Sequence, residues 1–393
     1  MSFRSPRRPP QELSPPPEQP SSVTARSSRH VSAQAVSAPE TIKAPDEVSR
    51  RTALSQIAVT AAGVLSARGL SGPIESATAA EKDPPSPSVA KTTPPAAKKA
   101  PVRARLQTKW GAVDIFPSDN PWNQRIDQRP VHPLSEQYLK SVGLAKPLHP
   151  DFGTIWNGAP SGIPFVVVGP DQPRVPVRFE YPDESDPGPY PLPLDAPIEG
   201  GPESEGDRHI LVIDAAAKKL YETFSTHREG TGYRAGSGAV FDLTSNKLRP
   251  AGWTSADAAG LPIFPGLVRY DEVMEQGEIP HALRFTVRQT QRAYISPATH
   301  WASRSQDPHL PPMGLRVRLK ADFNLSRFPK AAQVVLRCLQ RYGMLLADNG
   351  GDWFISGAPD PRWDDEALST IKRVKGSDLE VVQTGETVFD RRR

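Results

Sequence analysis

Residues 209–214 (HILVID) and 219–224 (KLYETF) decide the class of fold. Both runs are short, rich in β-branched and aromatic side chains, and bounded by charged or polar residues, which is the composition of strands. Strand geometry puts His209, Leu211 and Ile213 on one face, so His209 reads as a histidine facing the core. Five further runs follow the same pattern: FVVV (165–168), VPVRFEY (175–181), HALRFTV (281–287), RAYISP (292–297) and GLRVRLK (314–320). In the last, Leu315, Val317 and Leu319 alternate with Arg316, Arg318 and Lys320, which predicts one buried face and one charged, solvent-facing edge. LADNGGDWFIS (346–356) reads as two strands joined in a hairpin around Asn349, Gly350 and Gly351.

Two helices are expected near the C-terminus. FPKAAQVVLRCLQRYG (328–343) opens with Pro329, keeps Ala331, Val335, Cys338, Leu339 and Tyr342 on one face and stops at Gly343. DDEALSTIKRV (364–374) has acids at its start and bases at its end. The expected architecture is mainly β: a sandwich or barrel with long Pro-rich loops and one or two packed helices.

Of the 393 residues, the first quarter is of a different kind. Residues 1–107 carry 15 Lys or Arg against 8 Asp or Glu, and residues 108–393 carry 33 against 36, so the net charge of +4 divides into +7 and −3. The basicity belongs to the leader, which argues against nucleic acid as a partner of the folded part. Residues 1–48 are too rich in Pro, Ser, Arg and Ala to bury a core and are expected to be disordered. In 49–80, Arg50 and Arg51 precede an uncharged, weakly apolar run, Thr52 to Ala67, and Ala77-Thr78-Ala79 follows as a small-residue cleavage pattern. This resembles a twin-arginine export signal, too short and polar for a stable membrane span. Residues 81–107 read as a Pro/Ala/Lys tether and residues 108–393 as a single β-rich functional domain, exported to the periplasm or beyond the cell. The lone cysteine, Cys338, excludes an internal disulfide, and its place on the apolar helix face marks it as a core residue.

The motifs DESDPGPYP, GDRH, WTSADAAGLPI, HALRF, PPMG, ADNG and RWDD together resemble a group of secreted bacterial proteins to which no activity is assigned. The resemblance spans nearly all of residues 114–380. It implies an extracytoplasmic protein of one domain type and supplies no catalytic residues.

Walker, His-Glu-x-x-His, Cys-x-x-Cys and Gly-x-Ser-x-Gly signatures are absent from the sequence. GTGYRAGSG (230–238) lacks dinucleotide-binding spacing, and Ser237 within it reads as part of a flexible turn. Chemistry is expected instead on YPDESDPGPYPLPLDAPIEGG (181–201), where prolines hold Asp183, Glu184 and Asp186 on a stiff frame. Close carboxylates with separated pKa values suit hydrolysis of a glycosidic bond, and Glu199, Asp207 and Asp257 complete the catalytic candidates. Trp253, His209, His281, Arg284 and Trp301 are the expected substrate-binding residues, with tryptophan serving as a platform for sugar rings. No metal ligand set is legible in the spacing of His209, His281 and His300, and a calcium ion at Asp348 and Asp352 is the single cofactor reading the sequence raises. The leading functional reading is an exported carbohydrate-active hydrolase acting on a polysaccharide or cell-wall glycan. The alternatives are a non-catalytic glycan- or wall-binding protein and a polysaccharide lyase or metal-dependent hydrolase.

Overall fold

The computed structural model describes residues 103–389; the leader, the signal-like segment and nearly all of the tether lie outside them. The chain is mainly β, and its strands form two principal sheets with smaller ribbons around them. Among the described residues no sheet closes into a barrel, so the fold is the sandwich-like member of the expected pair.

The four-stranded sheet has the order 237–242, 219–224, 210–214, 165–168; its first three strands are antiparallel neighbours and the last pairs parallel. Alternation sorts its side chains into two layers. Leu211, Ile213, Leu220, Ala239 and Phe241 join the main core, while Ile210, Val212 and Tyr221 join a second cluster with Val168, Tyr190, Leu192 and Tyr233. Tyr190 and Leu192 come from the proline-rich stretch, and both are fully buried. That stretch is therefore a covering layer. Pro189, Pro191 and Pro193 hold the chain extended while Tyr190 and Leu192 plug the sheet's outer face, each such burial worth about 1.5–3 kcal/mol.

The six-stranded sheet is mixed, with the order 379–381, 316–319, 344–349, 283–287, 354–356, 149–151. Two expectations fail here for the same reason, which is long-range pairing. Strands 344–349 and 354–356 do not form a hairpin: strand 283–287 lies between them, parallel to the first and antiparallel to the second. Arg316 and Arg318 do not form a solvated edge either. Both are buried, because residues 121–129 cover that face and aim backbone carbonyls at them: Arg316 donates to Pro121 O (2.8 Å) and Tyr342 O (2.6 Å), and Arg318 donates to Ile126 O (2.6 Å) and to Glu380 (2.7 Å).

The helix Lys330–Arg341 packs its apolar face, Cys338 included, on the main core. Burial pushes the Cys338 thiol well up, and the sulfur donates to His281 O at 3.0 Å. The helix ends at Gly343, whose φ of 63° and 2.3 Å clearance between a notional Cβ and Val317 O leave room for glycine alone. The second expected helix is shorter, Asp365–Ser369, capped by Asp364, which accepts from Ala367 N (2.9 Å). A helix at Ser135–Val142 and a π-helical turn at Asp271–Gln276 were not anticipated.

Candidate functional site

The segment WTSADAA (253–259) touches several of the buried polar and charged groups in this region. Thr254 N donates to Glu184 Oε2 (3.2 Å), and Thr254 O accepts from Arg249 Nε (2.6 Å). Ser255 O accepts from Ser237 Oγ (2.8 Å), and Ala256 O lies 3.1 Å from His209 Nε2. Asp257 takes a two-pronged pair from Arg284, and Ala259 N donates to Ala347 O (2.9 Å). Ser237 and His209 belong to the four-stranded sheet and its approach; Arg284 and Ala347 belong to the six-stranded sheet. The segment thus joins the two layers. Ser237, expected in a flexible turn, begins a strand and is buried.

The expected catalytic acids divide into four places. Asp183 faces solvent. Glu184 and Asp186 dock on strand 237–242: Asp186 Oδ2 accepts from Val240 N (2.8 Å) and from Arg249 Nη1, while Arg249 Nη2 donates to Glu184 O (2.8 Å). Their role is to fasten the covering layer, with the half-buried Trp253 ring 5.5 Å from the same guanidinium. Asp186→Asn is accordingly expected to cost only about 1 kcal/mol in denaturant titration, because the Val240 bond survives and the ion pair is partly solvated.

Asp257, expected as a catalytic acid, and Arg284 and His281, expected to bind substrate, are enclosed. Arg284 spends its guanidinium on Asp257 (2.6 and 2.7 Å) and Ser356 Oγ, with Asp348 at 3.9 Å. His281 Nε2 lies 3.0 Å from Glu272 Oε2, and its Nδ1 lies 2.8 Å from Ala282 O. Burial disfavours charge on Glu272, but Arg269 and His281 outweigh it and hold the carboxyl below its ordinary range. Trp301 is half-buried and stacked on His300 and Tyr294. The acids suggested for calcium meet cations: Asp352 pairs with Lys146 (2.7 Å) and accepts from Arg288 N (2.8 Å), and Asp348 faces Arg284.

One group of expected residues does converge. Glu199, Asp207 and His209 each present a ligand atom within 4.8 Å of the others'. Both acids are half-buried, and the His209 ring is 1 % exposed. The loop that carries them is tightly built. Glu199 N donates to His209 O (3.0 Å), Gly200 and Gly201 turn the chain at φ 72° and 90°, and Arg208, itself at φ 53°, donates to Pro202 O, Ser204 O and Thr226 O. His209 Nδ1 lies 2.6 Å from Glu199 Oε2. Burial opposes an imidazolium at His209, but the neighbouring Glu199 and Asp207 carboxylates prevail and push it up to about 9.

Beside this group is a small hairpin, Ile155–Trp156 against Ala159–Pro160, turned by Asn157 and Gly158 at φ 49° and 81°. A notional Cβ on Gly201 would lie 3.7 Å from Ala159 Cβ, so the hairpin abuts the loop two residues beyond Glu199. Trp156 is directly opposite Ala159 in register, which places the two side chains on one face of the ribbon. That tryptophan is 71 % exposed and Ile155 is 68 % exposed.

Sequence reasoning missed Glu222, which is fully buried and accepts from Ile263 N (2.9 Å) and Phe264 N (2.8 Å). Burial pushes its carboxyl up to about 7, against those two amides and with Asp257 adding to the rise. The signal was present: strand alternation sets Glu222 on the same face as Leu220. Comparison with protein-family models, curated proteins and solved structures finds no match to this chain, so the site rests on its own geometry.

Proposed function

We propose that the protein is a carbohydrate-active hydrolase whose reaction centre is Glu199, Asp207 and His209. The observation that carries this reading is the approach of two half-buried carboxylates and a buried imidazole to within 4.8 Å of one another. Carboxyl groups about 5 Å apart suit a covalent, retaining route, since an inverting route leaves about 6.5–9.5 Å for a water molecule. Glu199, at hydrogen-bond distance from His209, is placed as the nucleophile, and Asp207 as the group that protonates the departing oxygen and then activates water. Trp156 offers an apolar platform for the C–H face of a sugar ring. The twin-arginine-like leader supports export, and with it a polysaccharide or wall glycan as substrate.

The test is release of reducing ends from a panel of plant, microbial and cell-wall polysaccharides. Glu199→Gln and Asp207→Asn are each expected to lower the rate at least about a hundredfold with the circular dichroism spectrum unchanged. Equal rates in wild type and variants would remove these residues from the mechanism. Retention on an immobilised glycan without turnover, lost in Trp156→Ala, would favour the non-catalytic glycan-binding reading, for which the exposed hairpin suffices.

A further inference from the structure

We propose that Glu199, Asp207 and His209 also form a binding site for a divalent transition-metal ion of the zinc or manganese type. The argument begins with the imidazole. His209 Nε2 lies 3.1 Å from Ala256 O, and a carbonyl oxygen only accepts, so this nitrogen carries hydrogen. The other nitrogen, Nδ1, is then the one presented to the carboxylates. A metal-binding histidine is commonly held this way, with the far ring nitrogen donating to a carbonyl that fixes tautomer and orientation. Here the fixing group belongs to the segment that joins the two sheets, and that segment is itself held by the Ser255 hydroxyl, which donates to Leu261 O (2.6 Å) and accepts from Asp257 N (2.9 Å).

The remaining donors come from the same short loop. Glu199 and Asp207 flank the imidazole from positions ten and two residues before it, and Arg208 clips the intervening chain through the carbonyls of Pro202 and Ser204 while also donating to Thr226 O. Zinc with ligands at about 2.1 Å places neighbouring donor atoms about 3.4 Å apart in a tetrahedron. The donors stand within 4.8 Å and as near as 2.6 Å, so small side-chain rotations reach that geometry. Two carboxylate oxygens and one imidazole nitrogen leave a fourth position for water. The nitrogen donor selects against calcium, which prefers six to eight oxygens.

Binding does not depend on the hydrolase reading, but its consequence does. An ion on Glu199 and Asp207 takes the lone pairs that the proposed reaction uses, so it is expected to inhibit turnover. The experiment uses the full chain, treated with chelator and dialysed, then titrated calorimetrically with zinc, manganese and calcium chlorides. One equivalent of zinc or manganese is expected to bind in the micromolar range or tighter, with calcium at least tenfold weaker. His209→Gln and Asp207→Asn are each expected to weaken binding at least tenfold; the second lies at a half-buried position and guards against misfolding of the first. No stoichiometric heat, equal affinity in the variants, or preference for calcium would overturn the proposal. Ion binding with silence across the glycan panel would leave the ion site standing and remove the hydrolase, whereas hydrolysis lost in Glu199→Gln without any ion binding would do the reverse.

Discussion

Arg284→Met is expected to destabilise the protein by about 3–5 kcal/mol, read as a fall in the denaturant midpoint at constant slope. The Asp257 and Arg284 side chains are both enclosed, and the two prongs of the pair are 2.6 and 2.7 Å long. Methionine fills much of the arginine's volume, so the loss is not mainly a cavity. It is the cost of an Asp257 carboxylate left without its cation in the interior. The pair also ties the segment 253–259 to the middle of the six-stranded sheet, where strand 283–287 has neighbours on both sides. Asp257→Leu alone is expected to cost a similar amount, because it strands the guanidinium beside Ser356 and Asp348. Together the two replacements should cost clearly less than the sum, since an apolar pair leaves no unpaired charge. Simple additivity in that cycle would show that the ion pair is not the joint between the layers.

The same pair shows where sequence reading reaches its limit. Alternation in HILVID, KLYETF and HALRFTV predicts strands, and strands 210–214, 219–224 and 283–287 are there. Alternation defines two faces of a strand without saying what covers the second one. For GLRVRLK the covering chain is residues 121–129, nearly two hundred positions away, so arginines that read as solvated are enclosed among carbonyls. The hairpin expected around Asn349 fails similarly: its local turn chemistry is sound, but strand 283–287 inserts between the two arms. Prolines 187 to 193 signal stiffness, and the structure has it; what they stiffen is the seat of Tyr190 and Leu192 rather than an array of acids. At the candidate site, Glu199, Asp207 and His209 were all legible as residues of interest. Their convergence was not, because it depends on glycine turns at 200 and 201 and a left-handed Arg208 that bring distant side chains back together.

Glu222→Gln is expected to remove about 3 kcal/mol of pH dependence from the stability curve, and the sign follows from where its carboxyl titrates. The folded protein holds that proton up to about pH 7, whereas an ordinary glutamate releases it near 4.5. Between those values the folded state binds more protons than the unfolded state, so stability falls as pH rises. The contribution is complete below about 4.5 and gone above about 7; 2.5 units at 1.36 kcal/mol each set its size. Glu272 is the instructive contrast, equally buried but shifted downward, because Arg269 and His281 stand directly against its carboxylate where Glu222 is met by the amides of Ile263 and Phe264. Glutamine cannot ionise, and its amide group must sit near one donor, so the variant should be about 1 kcal/mol weaker than wild type at pH 4.5. At pH 8 that order should reverse, with the variant about 2 kcal/mol the more stable. The difference between the two denaturant midpoints across this range isolates Glu222 from every other titrating group. A constant difference from pH 4.5 to 8 would mean that Glu222 is ionised throughout and that the two amides alone suffice to hold its charge.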